Sequence, residues 1–116
     1  MDDRIYKYLH DIKESIESIE EYLGTERDFN LYLKNKMLRR AVEREFEIIG
    51  EAMNRIDNLS PDIGISSKKQ IISMRNRVIH GYDKVDNGIV WGTIVRYIPV
   101  LKNEINDLLK QQVKRA

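Results

Sequence analysis

The sequence predicts an all-α fold, an up-and-down bundle of four long helices with the last broken at Pro99. Three observations predict it. Apolar residues recur at steps of three and four along most of the chain, the period of a one-sided helix. No segment alternates apolar and polar residues as a half-buried strand does. Pro99 interrupts the last periodic segment, where its missing N–H and its ring break or kink a helix.

The first helix runs from about Asp3 to Leu23. Ile5, Leu9, Ile12, Ile16, Ile19 and Leu23 alternate steps of four and three, so they fall on one narrow stripe. Gly24 is the candidate C-cap. The second helix begins near Asp28 and reaches about Ile56. Its apolar positions, among them Val42, Phe46, Ile49, Met53 and Ile56, cover about half the circumference. A helix that wide lies centrally, or faces both the core and a partner chain. Gly50 in mid-helix costs about 1 kcal/mol against Ala, which points to close packing there.

Asp57 to Ser67 is non-periodic. Ser60 is suited to cap a short turn with Pro61 at its first position. Ser66 or Ser67 is a candidate cap for the third helix, about Ser67 to His80, which Gly81 ends. Residues 82–87 read as a loop, with Asp86 capping the next helix. Trp91, Ile94, Val95, Ile98, Leu101, Ile105, Leu108 and Leu109 then recur at helical spacing. The break at Pro99 divides them between two consecutive helices, about Asn87–Tyr97 and Pro99–Lys114, that share one buried side.

Composition narrows the class. A chain of 116 residues reads as a single domain, 1–116. That length buries about two-thirds of its unfolded surface without staples. The balance of 41% hydrophobic and 34% charged residues fits a globular protein with an ion-paired surface. The absence of cysteine excludes disulfides, thiolate metal sites and a cysteine nucleophile, and suits a cytoplasmic protein. The charged start, Met1-Asp2-Asp3-Arg4, is unlike a signal peptide. No apolar run approaches the roughly 20 residues of a membrane span. A net charge of +1 is too small for a global nucleic-acid footprint. The cations are unevenly spread, however. Lys68, Lys69, Arg75 and Arg77 lie close together, and Arg39, Arg40 and Arg44 form a second basic spot. A solvated helix face is the simpler explanation of Lys68 and Lys69 taken alone.

Met74-Arg75-Asn76-Arg77-Val78-Ile79-His80-Gly81-Tyr82 is the densest chemical cluster. Arginine binds phosphate. Histidine exchanges protons near neutral pH. Asparagine can orient an imidazole. An Arg-x4-His-x-Tyr arrangement is thus suited to cutting a phosphodiester without a metal. On a helical wheel, Ile71, Ile72, Met74, Val78 and Ile79 form the apolar side, and Asn76 and His80 lie on the polar edge. Four residues apart, Asn76 and His80 are within hydrogen-bonding reach. Arg75 falls inside the apolar arc, about 140° from His80. An arginine there is costly unless it is paired or faces a cleft. A plainer alternative is that His80, beside Gly81, only complements the helix dipole and terminal carbonyls. Spacing alone does not decide between the two.

Other constellations point to less. His10 reads as a surface residue, and the two histidines are too far apart in sequence for a metal motif. Glu43, Glu45, Glu47 and Glu51 line the second helix. Glu47 and Glu51, one turn apart, suit a carboxylate pair, but a charged face explains them more simply. Nothing around Ser73 argues for a nucleophile, and there is no glycine-rich phosphate loop. Trp91 and Tyr97 read as core or interface.

Three stretches carry a family resemblance. They are Arg44-Glu45-Phe46-Glu47-Ile48-Ile49-Gly50-Glu51-Ala52, the Met74–Tyr82 cluster, and Val85-Asp86 followed by Ile89-Val90-Trp91 and Pro99. In order and spacing they resemble the HEPN superfamily, specifically the HepT-like toxins of prokaryotic toxin–antitoxin modules. The likeness covers nearly the whole chain. It departs at Gly64–Ser67, where a Pro and an aromatic are expected before the third helix.

The resemblance implies a metal-independent endoribonuclease without a cofactor, active on RNA as a homodimer whose motif helices meet at the twofold. It assigns Arg75 and His80 as the catalytic pair and Asn76 as the polar position after the Arg. Arg77, Lys68 and Lys69 are the accompanying candidates for RNA phosphate. Tyr82 matches a tyrosine that receives AMP from a minimal nucleotidyltransferase antitoxin, which would block the phosphate site. Two other readings remain. One is a non-catalytic helical dimer that docks with, and is modified by, such a partner or binds nucleotide. The other is a purely structural dimer with Arg75 in an interfacial ion pair.

Overall fold

A computed structural model describes residues 2–81 and 85–115, with side chains through 111. The helices are α1 (Asp3–Leu23), α2 (Phe29–Lys34), α3 (Lys36–Leu59), α4 (Lys68–Gly81), α5 (Asn87–Arg96) and α6 (Ile98–Arg115), with no strand among the described residues.

The limits of α1 are those the sequence predicts. The Asp2 side chain accepts the Arg4 N–H at its start, and Gly24 ends it with a φ of 68°. That left-handed value favours glycine over any residue bearing a Cβ. Ile5, Leu9, Ile12, Ile16 and Ile19 are all buried. Each contributes about 1.5–3 kcal/mol of apolar transfer energy.

The predicted second helix is divided in the structure. Asp28 caps α2 by accepting from Asn30 and Leu31, and Asn35 then breaks the helix. Asn35 takes an extended backbone, φ −108° and ψ 93°, and its side chain accepts the Leu38 N–H that opens α3. A short Asx side chain offers the backbone a local acceptor, which competes with helix continuation. Apolar periodicity passes across such a one-residue break without recording it. α3 packs against α1, α2 and α4, with Val42, Phe46, Ile49, Ala52, Met53 and Ile56 buried and Met37 exposed.

The connection from α3 to α4 forms a turn at Pro61. Ser60 donates its N–H to Ile56 and accepts the Ile63 N–H at 3.1 Å. Neither of the expected serine side-chain caps forms at α4. The Ser66 N–H and Oγ both bond Glu104 on α6. Ser67 is buried, with its Oγ unpartnered among the described residues. A charged carboxylate is the stronger acceptor for Ser66.

Asp86 caps α5 as expected, accepting from Gly88 and Ile89. The break before α6 falls at Tyr97. Pro99 lies in the first turn of α6, where a missing N–H costs no intrahelical bond. α5 packs on α6 and α4, and α6 also packs on α1.

At Gly50, α3 and α4 approach closely. A Cβ built there would lie 2.5 Å from Arg75 Cγ and 3.4 Å from Arg75 Cα. The glycine thus admits the first residue of the Arg-x4-His motif to the inner side of α4.

Candidate active site

Arg75 enters the site from the inner side of α4. Its stem rests on Gly50, and its side chain is 28% exposed. Nη2 donates to Glu51 Oε2 at 2.9 Å, and Nη1 donates to Asn76 Oδ1 at 3.2 Å. Nε is buried without a partner among the described residues. The wheel places Arg75 in the apolar arc, and the pairing with Glu51 is the compensation such a position requires.

Glu51 also reaches outward, where its Oε1 accepts from Arg55 Nε at 3.0 Å. One carboxylate therefore joins two guanidiniums, Arg75 on α4 and Arg55 on α3. Glu47, one turn away, pairs instead with Arg44 at 2.9 Å. The two glutamates do not act as a carboxylate pair.

The expected Asn76–His80 bond does not form, and Asn76 is turned to Arg75 instead. A charged guanidinium is a strong donor to the carboxamide oxygen. His80 stands in the last turn of α4, with an exposed side chain. It lines an open cleft of about 270 Å³ with Arg77, Gly81, Val85, Asp86 and Ile89. The cleft lies between the end of α4 and the start of α5. One chain thus brings His80 and Arg77 together, while Arg75 faces α3, roughly 140° around the same helix.

The remaining basic candidates divide. Lys69 and Arg77 are exposed. Lys68 is not free for phosphate, because its Nζ is 2.8 Å from Asp57 Oδ1 and also bonds the Pro61 carbonyl. It ties the α3–α4 connection to α3. The second basic spot is likewise engaged. Arg39 bonds the Leu33 carbonyl, Arg40 pairs with Glu43, and Arg44 pairs with Glu47.

His10 is exposed, with its ring edge-on to Tyr6 at 4.6 Å. Trp91 packs on Tyr32 and Phe29, with ring centroids 5.3 and 5.8 Å away. Burial pushes the Tyr32 hydroxyl well above the ordinary tyrosine range. No group of three or more His, Asp or Glu among the described residues is placed to hold a metal ion. Among the same residues, no helix is long and apolar enough to cross a membrane. Tyr82 lies outside the described residues.

Sequence reasoning missed the contact between Glu51 and Arg75. A signal was present in Gly50, whose predicted close packing marks the crossing point of α4 one residue before Glu51.

A family model described as ribonuclease HepT-like matches residues 12–108. The chain belongs to the HepT-like ribonuclease family. The matched span contains α3, all of α4 and the cleft beside His80. The chain is 40% identical over 107 residues to a probable ribonuclease HepT of Thermococcus cleftensis, covering 89% of this chain and 94% of that protein. It is 34% identical over 102 residues to a candidate RNase of Methanocaldococcus jannaschii, covering 84% and 90%. A candidate RNase of Caldanaerobacter subterraneus subsp. tengcongensis is 34% identical over 88 residues. No solved structure matches the chain. The HepT-like assignment agrees with the resemblance read from the motif blocks and places the chain among ribonucleases.

Proposed function

We propose that this HepT-like chain is the toxin of a toxin–antitoxin module, a metal-independent endoribonuclease that uses Arg75 and His80 as a homodimer. The observation that carries the reading is the division of α4. His80 stands with Arg77 in an open cleft, and Arg75 is held at the α3 side of the same helix. A second α4, related by a twofold, brings the Arg75 of one copy towards the His80 of the other.

The chemistry is transesterification. His80 takes the proton of a ribose 2′-OH as general base. The 2′-oxygen bonds to phosphorus, the bond to the 5′-oxygen breaks, and that oxygen receives a proton from the second His80 of the dimer. Products are a 2′,3′-cyclic phosphate and a 5′-hydroxyl. Arg75 stabilises the charge that builds on the phosphoryl oxygens. Asn76 helps to fix the Arg75 guanidinium, and Arg77, with Lys69, holds the flanking backbone phosphate. Lys68 has a structural role in this reading.

Tyr82 follows Gly81 directly in the sequence. We assign it as the control point. Its oxygen attacks the α-phosphorus of ATP on a partner nucleotidyltransferase, a phosphoester forms and pyrophosphate leaves. An AMP group adds a negatively charged phosphate to the protein, and that charge repels the phosphates of RNA.

Induced expression of wild type and His80→Ala side by side tests the reading, with growth and total RNA as readouts. Growth arrest and discrete RNA fragments with wild type alone are expected. Identical behaviour of both variants removes His80 from catalysis and favours the docking dimer.

A further inference from the structure

Glu51 is set apart from the other glutamates of α3 by what it touches. Glu43 and Glu47 each pair with an arginine of their own helix, and Glu45 accepts from the Tyr22 hydroxyl of α1. Glu51 crosses to α4 and holds Arg75 at 2.9 Å, while Arg55 holds the other oxygen at 3.0 Å. Gly50 fixes the Arg75 stem one residue away. Three restraints thus converge on the guanidinium: a packed stem, a carboxylate and the Asn76 carboxamide.

Glu51 offsets part of the cost of holding Arg75, 28% exposed, in the apolar arc, but stability alone does not account for three restraints on one guanidinium. The Glu51 side chain is 42% exposed, and half-exposed ion pairs contribute little to folding. Orientation does account for them. The buried Nε of Arg75 lacks a partner among the described residues, so a guanidinium released by Glu51 has reason to turn towards another acceptor. With Glu51 in place, N–H groups on the two terminal nitrogens remain for a phosphodiester.

We propose that Glu51 is a positioning residue that holds Arg75, from α3, in the orientation that receives the substrate phosphate. The proposal rests on the ribonuclease reading above. Arg55 steadies Glu51 from behind.

Steady-state cleavage of single-stranded RNA by purified Glu51→Ala, Glu51→Gln and Glu47→Ala tests it, together with thermal melting and binding of an uncleavable 2′-O-methyl RNA. Glu51→Ala should lower kcat per folded molecule on the order of 10²-fold, with KM little changed and a modest fall in melting temperature. Glu51→Gln should recover much of that loss, because its amide oxygen still accepts from Arg75. Glu47→Ala should match wild type. In an Arg75→Lys background, Glu51→Ala should cost little more. Wild-type kcat in Glu51→Ala, or an equal loss in the Arg75→Lys background, overturns the proposal. A wild type that binds the RNA analogue and never cleaves RNA defeats the ribonuclease reading instead. Binding then decides for Glu51. Loss in the Ala variant with recovery in the Gln variant upholds its role, and equal binding removes it. A wild type that neither binds nor cleaves RNA defeats both.

Discussion

α1 and α4 are both regular helices of the same bundle, yet packing explains only one of them. In α1 the apolar stripe is buried from Ile5 to Ile19, with the small polar Ser15 buried beside it and the charged residues towards solvent. Burial accounts for the pattern. In α4 only Ile71, Met74 and Val78 are buried. Arg75 sits among them, supported by Glu51, while Asn76, Arg77 and His80 face outward. The difference teaches that α1 is written for stability and that α4 carries a second requirement. Substitutions in the two helices should therefore separate folding from activity.

The largest expected effect on folding is in α1. Ile16→Ala removes a fully buried side chain and should cost about 2–5 kcal/mol, read by urea denaturation. Cleavage per folded molecule should stay at the wild-type level. Reduced activity of the folded fraction would break the separation.

Gly50→Ala tests the point where α4 rests on α3. The new methyl meets the Cβ and Cγ of Arg75, atoms too close to the backbone to swing aside. A stability loss of about 1–3 kcal/mol is expected from overpacking, with reduced cleavage as Arg75 is displaced. Unlike Ile16→Ala, this variant should lower both readouts.

Asp86→Ala removes the side-chain acceptor of the Gly88 and Ile89 N–H groups. Thermal unfolding should show about 1 kcal/mol of destabilisation, the usual worth of an N-cap. The smallest effect separates two cations. Arg77→Ala should reduce the slope of log affinity for RNA against log salt by about 1. Lys68→Ala should leave that slope unchanged, since Lys68 is bound to Asp57 and the Pro61 carbonyl.

The sequence exposes what depends on local order. The stripe of α1, the Gly24 end, the Asp86 cap and the break before Pro99 are all set by neighbours in the chain. So is the angular separation of Arg75 from His80. Asn35 escapes periodicity because one residue ends a helix without changing the pattern on either side. The contact between Glu51 and Arg75 joins residues 24 positions apart. It arises only when α4 lies on Gly50, a tertiary event that the wheel of either helix omits. The Asp57–Lys68 pair is hidden for the same reason, and it turns an apparent phosphate ligand into a brace.

The most direct test is cleavage of single-stranded RNA by purified wild type and His80→Ala in excess chelator, with melting curves for both. The account predicts cleavage by wild type, a loss of about 10²–10⁴-fold in His80→Ala and superimposable melting, since His80 is exposed and outside the core. Wild-type cleavage rates in His80→Ala, or dependence of the wild-type reaction on a metal ion, would contradict it.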